Sequence, residues 1–230
     1  MKTPGDSGFR YALNRRGGTH ALLLRLLPPA SHVLDVGCAS GYLGELLAAQ
    51  HCTVVGIEVD GGAARTARSS GAYLAVHEID LDDATGELPS GPFDVILCGD
   101  VLEHLRDPEL ALGRLVQLVA TTGQIIVSLP NVAHVSLRLQ LLAGRFQYTE
   151  RGILDRTHLH LYTYRSARAL VERAGLRVEY QLAGSNNFGN VLSFGPRPMR
   201  LLQGLLAYNI VLVTRPMSKD NHKGRVHADH

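Results

Sequence analysis

Short apolar runs alternate with amphipathic segments along the first half of the chain. Continuous apolar runs are typical of strands buried on both faces of a parallel sheet, and the segments between them have a helical period. This order predicts an open α/β sheet with helices on both faces. The predicted strands are 32–37, 53–58, 72–79, 93–98 and 124–129, and the predicted helices are 19–27, 42–50, 62–69 and 108–120.

The rhythm changes after Pro130, where 131–144 predicts an amphipathic helix and 145–164 is polar and rich in Arg, His and Tyr. Thr163 is a typical N-cap residue, so we expect a helix that runs to 174 and ends at Gly175. Two strand-like runs follow and close one domain. The predicted units are strands 176–182 and 208–214, a domain of residues 28–216, an N-terminal flap and helix (1–27) and a disordered tail (217–230).

Composition limits the class of protein. The 230 residues are 45% hydrophobic and 19% charged with a formal charge of +2, which fits one globular domain and no nucleic-acid partner. Cys38, Cys52 and Cys98 form no C-x-x-C pair, so we expect buried, unpaired thiols and a reducing cytoplasm. We see no signal peptide, and the late apolar stretch 201–213 is too short for a transmembrane segment.

One loop carries the most specific chemistry. Gly37 and Gly41 follow the first strand, Asp35 precedes them, and Glu58 ends the next strand. Small residues let the backbone approach a ligand, and a carboxylate about 20 residues on can accept hydrogen bonds from ribose hydroxyls. The spacing is not G-x-G-x-x-G, and an acid before the first glycine would repel a pyrophosphate but suit a cationic or zwitterionic ligand.

Acids or glycines end four successive strands: Asp35 with Gly37, then Glu58, Asp80, and Gly99 with Asp100. Ligands of open α/β sheets bind beyond the carboxyl ends of the strands, so we expect these side chains to share one site. At these positions the chain resembles the class I S-adenosylmethionine (AdoMet)-dependent methyltransferases. The resemblance implies a Rossmann-like fold whose seven-stranded, mostly parallel sheet has a C-terminal antiparallel strand pair and a lid (131–164) inserted after strand 5.

The resemblance also implies roles for single residues. Gly37, Cys38 and Ala39 would lie along the methionine and ribose parts of AdoMet, Asp35 would orient the amino group, and Glu58 would hold the ribose hydroxyls. The adenine amino group would meet Asp80, and His104 would point toward the site. The full set implied for AdoMet is Asp35, Gly37, Cys38, Ala39, Gly41, Tyr42, Glu58, Val59, Asp80, Leu81, Gly99, Asp100, Val101 and His104.

A narrower resemblance, to a bacterial MetW-like subgroup, is carried by residues 129–134 and 144–159. Members of that subgroup often accompany genes for polysaccharides or glycosylated natural products. The resemblance implies methyl transfer to a hydroxyl of a sugar, glycoside or related metabolite, with S-adenosylhomocysteine as product.

A hydroxyl nucleophile needs a proton acceptor, commonly His or a carboxylate. The candidate catalytic residues are His104, His134, Asp155 and His158. His104 could instead only pack over the donor, and His134, predicted one turn into a helix, could be a surface residue. Asp155 could orient His158 or pair with Arg156. A magnesium site at Asp155, His158 and His160 is disfavoured because Mg²⁺ prefers oxygen ligands, so we expect no metal.

The acceptor side leaves several interpretations open. Arg138, Arg145, Arg151 and Arg156 suit a phosphate or carboxylate on the acceptor, or form a solvated basic face. The loop 186–190 suits a sugar or is an ordinary connection, and 201–206 could cover the site, join two copies in a homodimer or touch a membrane. The alternatives for function are N- or C-methylation, a non-catalytic AdoMet-fold partner protein, and, more distantly, a dehydrogenase.

Overall fold

A computed structural model describes residues 18–184 and 204–217. The strands are β1 (His32–Val36), β2 (Thr53–Glu58), β3 (Ala75–Glu78), β4 (Phe93–Gly99), β5 (Val119–Pro130), β6 (Leu176–Gly184) and β7 (Asn209–Pro216). The helices are α1 (Thr19–Leu26), α2 (Tyr42–Ala48), α3 (Gly61–Ser69), α4 (Pro108–Val116), α5 (Val135–Leu142) and α6 (Tyr164–Arg173), with a 3₁₀ turn at Leu102–His104.

All seven strands form one sheet in the order β3-β2-β1-β4-β5-β7-β6. The strands from β3 to β5 are parallel, and β7 is antiparallel to both β5 and β6. This topology confirms the predicted mostly parallel sheet with an antiparallel C-terminal pair. Because β1 pairs with both β2 and β4, the strand order reverses at β1, and this is where open α/β sheets hold their ligands.

The continuous apolar runs fill two cores, one on each face of the sheet. On β4, Val95 and Leu97 pack in the core that includes Leu23 of α1. Ile96 and Cys98 alternate with them and pack in the opposite core, against side chains of α4 and α6. Successive side chains of a strand point to opposite faces of the sheet. Because helices cover both faces here, both sets of side chains are apolar. The three cysteines are buried and unpaired, as predicted.

Several element boundaries differ from the prediction. Helix α4 ends at Val116 rather than 120 and β5 begins at Val119 rather than 124, because Val119 pairs with Phe93 and the Phe93 N–H donates to the Leu118 carbonyl. Strand pairing here outweighs helix propensity. Other boundaries that differ by two residues or more are those of α2 (ending at 48, not 50), β3 (beginning at 75, not 72), α5 (135–142, not 131–144), β6 (ending at 184, not 182) and β7 (ending at 216, not 214).

The flap at 1–17, the loop at 186–190, positions 201–203 and the tail at 218–230 lie outside the described residues, so the predictions about them stay predictions. Within the described ranges, none of the helices combines the length and apolarity that crossing a membrane would require.

Candidate active site

The loop between β1 and α2 forms the floor of a cleft. The backbone N–H groups of Gly37 and Cys38 both donate to the Ile57 carbonyl, at 2.8 and 3.0 Å, which fixes the loop against β2. Gly37 has a φ of +69°, and a Cβ at this position would collide with the Val101 side chain. Glycine therefore lets the loops after β1 and β4 approach each other closely.

Asp35 is the buried acid of this cleft, with 2% of its surface exposed. The Tyr73 hydroxyl donates a 2.7 Å hydrogen bond to its Oδ2. Burial raises the pKa of Asp35 to about 7; the Tyr73 hydrogen bond acts to lower this pKa, and the nearby Glu58 charge raises it. The protonation of Asp35 is therefore sensitive to any cation that binds beside it.

Glu58 is held by two backbone groups at the end of β2. Its Oε2 accepts a 2.8 Å hydrogen bond from the Ala39 N–H, and its Oε1 accepts a 2.9 Å bond from the Asp60 N–H. These bonds join the loop after β1 to the start of α3 through one carboxylate. The side chain is therefore ordered at the position where a ribose would be bound in a site of this topology.

Asp100 follows β4 in a left-handed backbone conformation, with a φ of +55°. Such a φ is uncommon for a residue other than glycine and needs support from the surroundings. The support comes from Ser128, whose hydroxyl donates to Asp100 Oδ1 at 2.7 Å, and from Asn209, whose amide donates to the same oxygen at 3.0 Å. Strands β5 and β7 thus fix the carboxylate that follows β4.

Two neighbouring cavities, both lined by Gly37, open along these strand ends. The larger has an empty volume of about 720 Å³ including its mouth, and the smaller has about 320 Å³. The larger is lined by His20, Asp35, Gly37, Cys38, Ala39, Ser40, Tyr42, Leu43, Gly99 and Asp100. The smaller is lined by Gly37, Ile57, Glu58, Val59, Ile79, Asp80, Leu81, Val101 and Leu105. The structure therefore brings together the residues predicted for the donor, apart from Gly41 and His104, which line neither cavity.

His104 lies on the 3₁₀ turn just beyond the cleft, where it meets the segment after α5. Its Nδ1 is 3.1 Å from the Thr157 carbonyl oxygen. A carbonyl can only accept, so Nδ1 carries the proton and Nε2 is left with a lone pair. Burial lowers the pKa of His104, against the opposing hydrogen bond to Thr157. The ring is therefore neutral near pH 7 and able to accept a proton at Nε2.

Glu103 is fully buried beside two imidazoles. Within residues 18–184 and 204–217, its carboxylate oxygens have no hydrogen-bond partner, and His158 Nε2 lies 4.0 Å from Oε1. Burial raises the pKa of Glu103 well above the usual value, and the charge of Asp100 adds to the effect. Glu103, His104 and His158 each place one ligand atom within 4.8 Å of the others. The atoms with metal-ligand spacing are therefore those of Glu103, His104 and His158, whereas the sequence analysis considered Asp155, His158 and His160.

Asp155 has a different partner from either one that the sequence suggested. Its Oδ1 accepts hydrogen bonds from the Thr157 N–H at 2.9 Å and the Thr157 hydroxyl at 2.7 Å. Arg156 pairs with Glu150 instead of Asp155, at 3.2 Å and with both side chains exposed. His158 directs Nδ1 at the Ile153 carbonyl. Asp155 therefore shapes the turn that supports His104 and His158.

His134 is the N-cap of α5 rather than a residue one turn into the helix. Its Nδ1 accepts a hydrogen bond from the Ser136 N–H and lies 2.8 Å from the Ser136 hydroxyl. Burial lowers its pKa, while a hydrogen bond with the Leu206 backbone raises it. The imidazole is thus engaged in helix capping and in packing edge-on against Tyr208.

Five residues of the site come from distant segments and were not predicted from the sequence: His20, Tyr73, Glu103, Ser128 and Asn209. The weak signal for Tyr73 is the glycines at 44 and 56: a Cβ on Gly44 would collide with its ring, and one on Gly56 would press against it. For His20, burial lowers the pKa against the attraction of Asp100.

Comparisons with known proteins agree with this geometry. A family model described as a methyltransferase domain matches residues 11–181. Over 156 residues the chain is 31% identical to a ubiquinone biosynthesis O-methyltransferase of Xylella fastidiosa, covering 65% of this chain and 62% of that protein. It is 34% identical over 128 residues to an uncharacterized methyltransferase of Mycobacterium bovis, covering 55% of this chain and 61% of that protein. The matches thus span about three fifths of each relative.

Solved structures show the same fold at low sequence identity. A TehB-like SAM-dependent methyltransferase of Corynebacterium glutamicum superposes with a TM-score of 0.60 at 20% identity, covering 91% of this chain and 93% of that one. The magnesium protoporphyrin IX methyltransferase of Synechocystis, solved with bound SAH, gives 0.59 at 17% identity, covering 86% and 82%. The matched family is broader than the MetW-like subgroup, which stays a prediction. The chain belongs to the methyltransferase-domain family.

Proposed function

We propose that this protein binds AdoMet in the two neighbouring cavities and transfers its methyl group to a hydroxyl of a small-molecule acceptor. The observation that carries the proposal is the row of acids along both cavities, from Asp35 and Asp100 to Glu58 and Asp80. Carboxylates suit the ammonium and ribose hydroxyls of AdoMet, whereas they would repel the pyrophosphate of NAD. The bound donor supplies an electrophilic methyl group on a sulfonium.

Each part of the donor has a matching set of residues. The larger cavity, with Asp35, His20 and Asp100, suits the zwitterionic methionine end, because it offers groups of both polarities. The smaller cavity suits adenosine, with Glu58 for the ribose hydroxyls and Asp80 for the adenine amino group. Leu81 is buried and provides an apolar surface for the ring.

For the acceptor side we propose His104 as the general base. Its Nε2 lone pair is set by the Thr157 carbonyl, while the Nδ1 of His134 is engaged in the cap of α5. His158 and Asp155 then act through His104, since His158 packs edge-on against its ring and Asp155 fixes Thr157. Positioning of the acceptor hydroxyl supplies much of the rate enhancement, and proton removal adds about 10²- to 10⁴-fold.

The acceptor binds under the segment 131–164 in this proposal. A sugar, glycoside or related metabolite is the acceptor class that the sequence favours, and the name of the Xylella fastidiosa relative adds O-methylation in ubiquinone biosynthesis. Arg138 and Arg145 suit an anionic acceptor. The chain has no acidic residue between Glu109 and Glu150. Residues 131–149 of the lid therefore carry basic side chains but no acidic ones.

Donor binding is tested first, by thermal shift and calorimetry with AdoMet, S-adenosylhomocysteine and NAD. Stabilisation by AdoMet and its product, without an effect of NAD, is expected. Binding of NAD alone would contradict the donor assignment.

Methyl transfer is tested on a panel that contains a catechol, an alkyl glycoside, a sugar phosphate and a primary amine, with S-adenosylhomocysteine release as the readout. O-methylation with His104 as base is supported if the protein methylates a hydroxyl compound, His104→Gln strongly reduces this turnover and His134→Asn leaves it nearly unchanged. Turnover of the amine alone would favour N-methylation. Binding of AdoMet without turnover of any acceptor would favour a non-catalytic partner protein.

A further inference from the structure

Tyr73 reaches the donor site from the loop before β3 and occupies a space that three glycines leave open. A Cβ on Gly41, Gly44 or Gly56 would collide with or press against its ring. Its hydroxyl accepts a 3.1 Å hydrogen bond from the Gly44 N–H and donates a 2.7 Å bond to Asp35. The ring is therefore fixed by packing, and the hydroxyl proton has one direction, toward Asp35.

The Gly44 N–H lies in the first turn of helix α2, where backbone N–H groups have no partner within the helix. The N-cap of this helix is Gly41, which has no side chain to cap the first turn. The Tyr73 hydroxyl takes the place of the missing cap. Because it accepts from the Gly44 N–H and donates to Asp35, the first hydrogen bond polarises the hydroxyl and strengthens the second.

We propose that Tyr73 is a positioning residue for the donor: it holds the Asp35 carboxylate toward the methionine end of AdoMet and favours its charged form. The inference rests on the proposed function, since it assumes that AdoMet binds beside Asp35. Tyr73 itself touches neither the donor nor the acceptor in this scheme. Its hydrogen bond lowers the pH above which Asp35 can offer a negative charge to the donor.

Several charged or titratable groups lie near Asp35, and Tyr73 stabilises its anion by a hydrogen bond. The groups are Cys38 in the loop after β1, Glu58 after β2, Tyr73 before β3, Cys98 on β4, and His20 and Asp100 across the same cavity. The buried thiols have raised pKa values, of about 12 for Cys38 and Cys98, and stay neutral. The negative charge of Glu58 raises the pKa of Asp35, and the Tyr73 hydrogen bond acts in the opposite direction. Removal of the tyrosine hydroxyl should therefore raise the pKa of Asp35.

The test is the AdoMet dissociation constant of Tyr73→Phe and wild type, measured by calorimetry from about pH 6 to about pH 9. The variant keeps the ring and loses only the hydroxyl. We expect the ratio of the two constants to be about tenfold near pH 6 and to fall toward one near pH 9, since a hydrogen bond to a charged group is worth about that factor. Titration of AdoMet itself cancels in the ratio.

The control is Tyr180→Phe, which removes a hydroxyl from an exposed tyrosine of β6 and should leave the ratio at one. A ratio for Tyr73→Phe that is the same at every pH would overturn the inference and leave only a packing role. If Tyr73→Phe does not fold, wild-type calorimetry in buffers of different ionisation enthalpy decides: AdoMet binding near pH 7 should release protons, and no release would overturn the inference.

Asp35→Asn separates this inference from the proposed function. If Asp35→Asn binds AdoMet as tightly as wild type at every pH, the donor does not meet Asp35 and the proposed placement fails. If Asp35→Asn weakens binding and removes its pH dependence while Tyr73→Phe leaves the pH midpoint in place, the donor placement stands and the role of Tyr73 fails.

Discussion

The two cavities proposed for AdoMet, called here the donor half, are built differently from the proposed acceptor half around Glu103 and His104. In the donor cleft Asp35, Glu58 and Asp100 each accept a hydrogen bond from a fixed neighbour. On the acceptor side the buried Glu103 carboxylate has no such partner within the described residues. In addition, the segment that follows β5 leaves large apolar side chains in solvent, including Leu142 at 84% and Leu139 at 61% exposure.

The difference indicates in which half the carboxylates already have their hydrogen-bond partners before a ligand binds. Fixed carboxylates cost little reorganisation when a donor binds, so the donor cleft is preorganised. A buried carboxyl without a partner destabilises a protein, and an exposed apolar helix face is typical of a surface that binds something. We therefore expect the acceptor to complete its own half of the site, and the predictions below test this contrast.

The largest effect is expected for His104→Gln. The substitution removes the proton acceptor at Nε2, so kcat for a hydroxyl acceptor should fall by about 10³-fold, within the usual range for a general base. The dissociation constant of AdoMet should stay unchanged, because His104 lines neither donor cavity. Steady-state kinetics and calorimetry measure the two quantities, with His77→Gln on exposed β3 as the control. If His104→Gln weakened AdoMet binding as much as it lowered kcat, His104 would belong to the donor half as well, and the contrast would fail.

Next comes Glu58→Ala, which tests the preorganised half. It removes the hydrogen bonds to the Ala39 and Asp60 N–H groups together with the proposed ribose contacts, so AdoMet affinity should fall about a hundredfold. Glu78→Ala is the matched control, since Glu78 is the register partner of Glu58 on β3 and is exposed. Calorimetry gives both constants, and equal losses in the two variants would count against a specific role.

Glu103→Gln tests the acceptor half through stability. Because the pKa of Glu103 is raised in the folded state, its contribution to stability is fully present below the pKa of the unfolded chain and is lost as pH rises through the folded value. The amide does not titrate, so the variant should gain on wild type as pH rises, by up to about 1 to 3 kcal/mol. Urea unfolding at about pH 5 and about pH 8.5 measures the gain. A difference that stays constant with pH would indicate that a charged partner compensates Glu103.

The smallest effect is expected for Arg156→Ala. The ion pair with Glu150 is exposed on both sides, so its loss should change the free energy of unfolding by less than about 0.5 kcal/mol. Chemical denaturation measures this change. A loss above about 2 kcal/mol would mean that Arg156 has a further partner and fastens the lid to the sheet.

The sequence predicted which residues line the two cavities better than it predicted the surroundings of Glu103, for a physical reason. Asp35, Glu58, Asp80 and Asp100 each follow a strand, and parallel strands end at one edge, so order along the chain implied proximity. Tyr73 and Asn209 join this site from a loop and from an antiparallel strand, which strand order does not locate. For Glu103 the burial depends on how one 3₁₀ turn is oriented, and neighbouring His104 on the same turn is exposed.

The Asn209 contact with Asp100 spans 109 residues of chain and joins β7 to the end of β4 across one intervening strand, β5. A nascent or partly unfolded chain can form β1, β2 and β4 with their loops and still lack this contact, because β7 must first insert between β5 and β6. Pairing across such a sequence distance is slow to form. Any ligand that needs the finished Asp100 geometry therefore binds only the fully assembled sheet, and by mass action it favours that state over partly assembled ones. A donor bound beside Asp100, as proposed, would therefore stabilise only molecules whose β7 has already been inserted.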